Sequence, residues 1–235
     1  MKQLNRRQWL TKAAACLAMP AGSMGSAGVV GSLLCEAAHA AQLEEPLTHS
    51  MVTALSAAVG DSASPKMEFA EVSEQLKHLN WLGEMSKRLE SRIPNYDWRI
   101  EFLETVRYES CRAGLETALV LGLIQTESAF RQYAVSSAGA LGYMQIMPFW
   151  TRLIGDGDVG KLFHMQTNLR YGCVILRHYM GIEKGDMFMA LGRYNGSRGQ
   201  SPYPDTVYRF RERWLYEPPA MPEDASPILA AASEG

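Results

Sequence analysis

One carboxylate in this sequence stands where a charge is costly. Glu127 follows Val120, Leu123 and Ile124 by seven, four and three positions. Those offsets put all four side chains on one face of a helix. The face is otherwise apolar, so Glu127 lies on the stripe that turns into the core. Burying an unpaired charge is unfavourable, and the usual response is a raised pKa. Glu127 also falls at the helix's C-terminal end, where the dipole disfavours a further negative charge. Both effects favour a carboxyl protonated near neutral pH, which is what a general acid requires. Taken alone, the spacing leaves a second reading open: a solvated Glu at a helix end, or one paired with Arg131.

Other chemistries find little support. His39, His49, His78, His164 and His178 are scattered, and no two stand three or four residues apart, so no metal site is expected. Asp156-Gly157-Asp158 lacks the closing Glu of a calcium loop and reads as a turn with an acidic helix cap. No Gly-rich phosphate loop appears, and no cofactor is implied. Cys111 and Cys173 form an even pair, read equally as a disulfide or as two buried free thiols.

The residues after Glu127 fall into ordered blocks. Glu127-Ser128-Ala129-Phe130 is followed by Ala134-Val135-Ser136-Ser137-Ala138-Gly139-Ala140-Leu141-Gly142-Tyr143-Met144-Gln145-Ile146-Met147-Pro148. Asn168 to Leu176 contains Asn-x-x-x-Gly, and Ala190 to Gly196 contains Tyr194-Asn195. This order and spacing resemble the soluble lytic murein transglycosylase family over about residues 110–215. Tyr208 stands where that family has a closing Tyr. There are departures. Tyr143 replaces a usual Leu, Arg193 a small or apolar residue, and Gly196 a common Ala.

The resemblance implies a goose-type, lysozyme-like helical fold and peptidoglycan glycan strands as the partner. It implies that Glu127 protonates the glycosidic oxygen between N-acetylmuramic acid and N-acetylglucosamine. Glu127 then acts as base on the muramic acid's own 6-hydroxyl, leaving a 1,6-anhydro end and consuming no water. Ordinary glycosidases need two carboxyls; the matched blocks hold only Glu127. The resemblance further implies substrate contacts for Ser128, Ser136, Tyr143, Met144, Gln145, Tyr194, Asn195 and Tyr208. For Ser128 a local hydroxyl-to-backbone bond is equally open, and for Met144 core packing. Gly139 and Gly142 read as turn residues. Among Tyr133, Tyr143, Trp150, Tyr203 and Tyr208, stacking on sugar rings is expected of Tyr143 and Tyr208, by position in the blocks.

The elements that must position these residues read as all-α. Phe69, Val72, Leu76, Leu79, Leu82, Met85 and Leu89 recur at helical steps up to the stop at Pro94. A second helix is expected over 97–112, with Ile100, Leu103 and Val106 inward, and a third over 116–128. A loop should follow over 134–142, then helices from about 144, over 167–180, 186–194 and 205–215. No alternating strand pattern of useful length appears.

Residues 1–40 carry Lys2, Arg6, Arg7 and Lys12 ahead of an apolar stretch that ends Ala38-His39-Ala40, the pattern of an export signal with a small-x-small cleavage site. Asn5-Arg6-Arg7-Gln8-Trp9-Leu10-Thr11-Lys12 resembles the twin-arginine signal; the general secretion route is the alternative, and a periplasmic location follows from either. The expected division is this signal, a flexible lead-in over 41–65, N-terminal helices over 66–109, a catalytic domain over 110–217 and a flexible tail over 218–235. Beyond residue 40, 19 basic and 24 acidic residues remain. Bulk charge therefore offers nothing to nucleic acid, and no apolar run there reaches the ~20 residues of a membrane span.

Overall fold

The computed structural model describes residues 42, 44–60, 67 and 69–218. The export signal and nearly all of the expected tail lie outside them. Among the described residues the structure is helical, with two isolated bridges, Val135 to Leu141 and Leu141 to Ile146. Eight α-helices follow in order: α1 His49–Gly60, α2 Val72–Leu89, α3 Tyr96–Arg112, α4 Thr117–Ser128, α5 Phe149–Ile154, α6 Met165–Ile182, α7 Met187–Asn195 and α8 Pro202–Arg211. A 3-10 turn, Val159–Phe163, precedes α6. None of the described helices is long and apolar enough to cross a membrane.

The fold is built around α4. Every residue from Ala118 to Ile124 is buried. A helix apolar on all sides belongs in the interior, and α3 and α8 both pack on this one. α8 comes unusually near. A Cβ on Gly122 would lie 2.6 Å from the Arg211 nitrogen and 2.8 Å from the Val207 oxygen. Glycine is what allows the two backbones to approach. Arg211 also donates to both carboxylate oxygens of Glu116, at 2.6 and 2.9 Å, and so fixes the register of α8 along α4.

Two buried arginines tie the remaining helices together. Arg99 of α3 donates to the Ser86 hydroxyl on α2 at 2.9 Å and to the Ile93 carbonyl at 2.7 Å. Arg170 of α6 donates to Glu109 of α3, whose carboxylate also accepts from Arg112. Glu109 is buried, so removing its cations would leave a costly charge.

Several expectations are corrected. Residues 49–60 are not part of a loose lead-in but form α1. Leu55 is buried and Ala58 and Val59 pack on the core, three and four residues further along the same face. Ala-, Ser- and Gly-rich composition suggested a linker, but this short apolar stripe suffices once α5 and α6 receive it. The stripe expected on α2 holds only at its C-terminal half. Val72, Leu76 and Leu79 are exposed, whereas His78, Trp81, Leu82, Met85 and Leu89 are buried. Phe69 lies 5.0 Å from the His78 ring and helps set the buried face there. A domain boundary at 109/110 would cut through α3, which is continuous from Tyr96 to Arg112. No helix starts near Met144; α5 begins at Phe149, after Pro148 at its cap. Cys111 and Cys173 are free: Cys111 is exposed, Cys173 is buried, and burial pushes its thiol up.

Candidate active site

Glu127 sits on the last turn of α4. The chain leaves that helix through two consecutive left-handed residues, Ala129 (φ 50°) and Phe130 (φ 66°). Such a conformation costs a non-glycine residue roughly 1–2 kcal/mol, and packing supplies the offset. The buried Phe130 ring stands edge-on to Phe102 at 6.0 Å and to Trp214 at 5.2 Å. This sharp exit ends the helix at Ser128. It leaves Glu127 partly exposed while Leu123, Ile124 and Ser128 beside it are buried.

Burial pushes the Glu127 carboxyl up to about 7, while a bond from the Tyr203 hydroxyl to Oε1 pulls it the other way. Tyr203 is buried on the first turn of α8. Tyr194, at the end of α7, completes the cluster. Burial raises both tyrosine hydroxyls, and the Glu127 charge adds to it. The Tyr194 hydroxyl donates to the Met144 carbonyl at 2.8 Å. The helical spacing that singled out Glu127 therefore pointed to a carboxyl whose proton is held close to neutral pH.

Two measurable consequences follow. Tyr203→Phe removes the donor that favours the ionised carboxylate. The Glu127 titration should then move upward by about one pH unit, as NMR of the isotope-labelled carboxyl would record; an unmoved titration would show that the bond does not tune Glu127. Second, the raised pKa costs stability. The unfolded carboxyl, at its ordinary value of 4.5, ionises before the folded one at about 7. Folding stability therefore falls as pH rises through that window, by up to about 3 kcal/mol above it. Glu127→Gln should melt higher than the native protein at pH 8 and match it near pH 4, as thermal denaturation at the two pH values would record.

The loop from Ala134 to Met147 is fastened from below by Asn168. This buried amide donates to the Leu141 carbonyl at 2.9 Å and the Leu162 carbonyl at 2.8 Å, and accepts from the Met144 amide at 2.8 Å. Gly142 (φ 77°) passes directly over it; a Cβ there would lie 2.3 Å from Asn168 Nδ2. Gln145 closes the other side. In a left-handed conformation (φ 51°), it donates to the Ala134 and Gly142 carbonyls.

The other expected site residues divide. Ser128 donates to the Ile124 carbonyl at 3.2 Å and is buried, which is the local backbone bond. Ser136 accepts from the Ala140 amide at 3.0 Å and staples its own turn. Tyr143 and Met144, expected to line a groove, are 2% and 0% exposed. Tyr143 packs on Phe102 at 4.8 Å and accepts from Trp98 Nε1 at 3.2 Å. Asn195 donates to the Ser197 hydroxyl at 2.9 Å. Tyr208, half-buried on α8, packs against the core, and the hydroxyl that reaches Glu127 is that of Tyr203. Trp150 is buried and donates to Gln42. Asp156 and Asp158 behave as a turn and cap: Asp158 accepts from the Gly160 amide and Asp156 pairs with Lys161.

Sequence reasoning missed the pairing of Tyr203 with Glu127. The available signal was its place between Pro202 and Pro204 at a helix start, which anchors the ring but names no partner. Asn168 was visible as a motif residue, without its threefold role. Among the described residues no cluster of three metal-ligating side chains occurs.

Residues 104–207 match the family model described as Transglycosylase SLT domain. Glu127, Tyr194 and Tyr203 all lie within the matched stretch. The chain is 39% identical over 93 residues to a membrane-bound lytic murein transglycosylase C of Glaesserella parasuis, covering 39% of this chain and 24% of that protein. It is 48% identical over 94 residues to the protein of that name in Actinobacillus pleuropneumoniae, covering 40% and 24%. A transglycosylase of Enterobacteria phage PRD1 is 31% identical over 102 residues, covering 43% and 37%. The aligned stretches thus span between 24% and 37% of these relatives' lengths. An inactive mutant of the lytic transglycosylase Slt from Pseudomonas aeruginosa aligns with a TM-score of 0.39 at 20% identity, covering 60% of this chain and 27% of that one.

Proposed function

We propose that this protein is an exported, periplasmic enzyme that cuts peptidoglycan glycan strands by lytic transglycosylation. The observation that carries this reading is Glu127: a residue at the edge of the core whose carboxyl is pushed up to about 7 by burial, with a phenol donating to it. The SLT domain match and the relatives, two of them named for murein, supply the substrate class.

The mechanism follows from one group used twice. At or below neutral pH Glu127 carries the proton that it delivers to the bridging oxygen between the two sugars. The anomeric centre loses its leaving group and develops positive charge. Glu127, now ionised, accepts the proton of the muramic acid 6-hydroxyl as that oxygen bonds to the anomeric carbon. A 1,6-anhydro ring results, the carboxyl is reprotonated, and no water enters. The Tyr203 bond stabilises the ionised midpoint of this cycle, and burial stabilises its protonated ends. Ser128, Ser136, Gln145 and Tyr194 act here through the backbone groups they bond, and Asn195 through the Ser197 hydroxyl.

Export rests on the basic and apolar pattern of residues 1–40 and its Ala38-His39-Ala40 end. Incubating purified protein with peptidoglycan and following soluble fragments tests the activity. Fragments ending in a reducing sugar would point instead to a hydrolase, and no release to a wall-binding protein.

A further inference from the structure

We propose that Gln42 is a positioning residue for the reaction: held between Trp150 and Tyr194, its buried amide keeps the Tyr194 hydroxyl on the Met144 carbonyl and so shapes the wall beside Glu127. The proposal deepens the activity assigned above and rests on it. Gln42 lies ahead of α1 and far upstream of the stretch 104–207 that matches the family model, yet it is only 5% exposed. Its carbonyl oxygen accepts from Trp150 Nε1 at 2.9 Å. An indole nitrogen can only donate, so this bond settles which end of the amide is oxygen and turns Nε2 the other way. Nε2 is buried without a full hydrogen bond among the described residues, and its contact with the Tyr194 hydroxyl favours the ionised phenol.

A donor on that side of the phenol oxygen directs the phenol's own proton away from it. Tyr194 accordingly donates to the Met144 carbonyl at 2.8 Å. The rings fix the span that the amide bridges. Trp150 on α5 stands edge-on to Tyr179 on α6 at 6.2 Å, and Tyr179 to Tyr194 on α7 at 6.5 Å. Burying an amide nitrogen short of a full bond costs roughly 1–3 kcal/mol, which an apolar side chain of the same volume would avoid. The amide therefore makes sense through what it does to Tyr194.

Gln42 is also held in place from its own side. Three residues on, Glu45 accepts from Arg193 at 2.6 Å, and Arg193 donates to Glu183 at 2.8 Å as well. Leu47 packs against the core. Arg193 is the neighbour of Tyr194 and stands where the resembled family has a small or apolar residue. Its pair with Glu45 gives that departure a use: it anchors the strap that carries Gln42 to the helix that carries Tyr194.

The test measures initial rates on soluble, uncrosslinked peptidoglycan strands, well below the melting temperature of each protein. Gln42→Ala should lower kcat about tenfold and leave KM within twofold, since a displaced wall costs more in the transition state than in binding. Gln42→Glu keeps the oxygen for Trp150 but loses the donor toward Tyr194 when ionised. At pH 7.5 it should lose as much as Gln42→Ala. At pH 5 the introduced carboxyl, held protonated by burial, regains a donor, and its rate relative to native should recover at least fivefold; Gln42→Ala should show no recovery. Among the other titratable groups that act on Tyr194, Tyr179 and Cys173 stay neutral over this range, and Glu127 is common to all three proteins. A latch that only stabilises the fold would lower the melting temperature and leave kcat and its pH dependence alone. Unchanged kcat in Gln42→Ala, a change in KM only, or no acid recovery in Gln42→Glu would each overturn the positioning role. Native protein that releases no fragments would overturn the activity itself, and with it this role.

Discussion

Glu127→Gln should lower the release of soluble fragments from peptidoglycan by about three orders of magnitude or more. The size follows from the loss of both proton transfers, each of which contributes roughly 10²–10⁴-fold when a positioned side chain performs it. The substitution keeps the shape of the side chain and one oxygen that can accept from Tyr203. It also removes a carboxyl that burial disfavours when ionised, so the variant should fold at least as well as the native protein at neutral pH. Loss of activity with retained or raised melting temperature separates a chemical role from a structural one. Initial rates at several pH values extend the test. In the native protein kcat/KM should be flat below about pH 7 and fall about tenfold per pH unit above it, as the acid loses its proton. The residual rate of the variant should lack that limb.

Asn168→Ala should produce the largest loss of stability, about 3–5 kcal/mol. The amide serves the Leu141 and Leu162 carbonyls and the Met144 amide, all within the buried floor of the loop. Truncation strands three backbone groups away from solvent, each costing roughly 1–3 kcal/mol unless water enters. Water would need room, and the site is packed so tightly that Gly142 has no space for a Cβ. Activity should fall with stability, because Met144 also presents the carbonyl that holds Tyr194 beside Glu127. Asn168→Asp discriminates further. It keeps the acceptor for the Met144 amide but turns the single nitrogen that serves both carbonyls into an oxygen that faces them. Chemical denaturation of the two variants should therefore give similar losses. A loss near 1 kcal/mol for either would contradict the fastening role.

Glu127 was legible because a helix converts spacing into direction, and its apolar neighbours recur at offsets that require one face. The all-α class was legible for the same reason. Direction fails where periodicity stops. Tyr143, Met144 and Gln145 stand in a run of tight turns, where a motif identifies the neighbourhood and leaves the facing of each side chain open. Tyr143 and Met144 consequently proved to be core. Tyr203 reaches Glu127 only because Gly122 lets α8 lie against α4, a contact between segments 76 residues apart in which neither spacing nor composition takes part. α1 was hidden by its small residues, since its stripe is short and gains meaning only when α5 and α6 cover it. The free state of Cys111 and Cys173 depends on how α3 and α6 present them, which no count of cysteines conveys.

The most direct test of the central claim is the mass of the products. Purified peptidoglycan digested by the native protein should yield fragments one water lighter than their hydrolytic counterparts, with 1,6-anhydro ends, and digestion by Glu127→Gln should yield almost none. Reducing-end fragments of full mass from the native protein, or the anhydro fragments at native rate from Glu127→Gln, would contradict a single carboxyl acting first as acid and then as base.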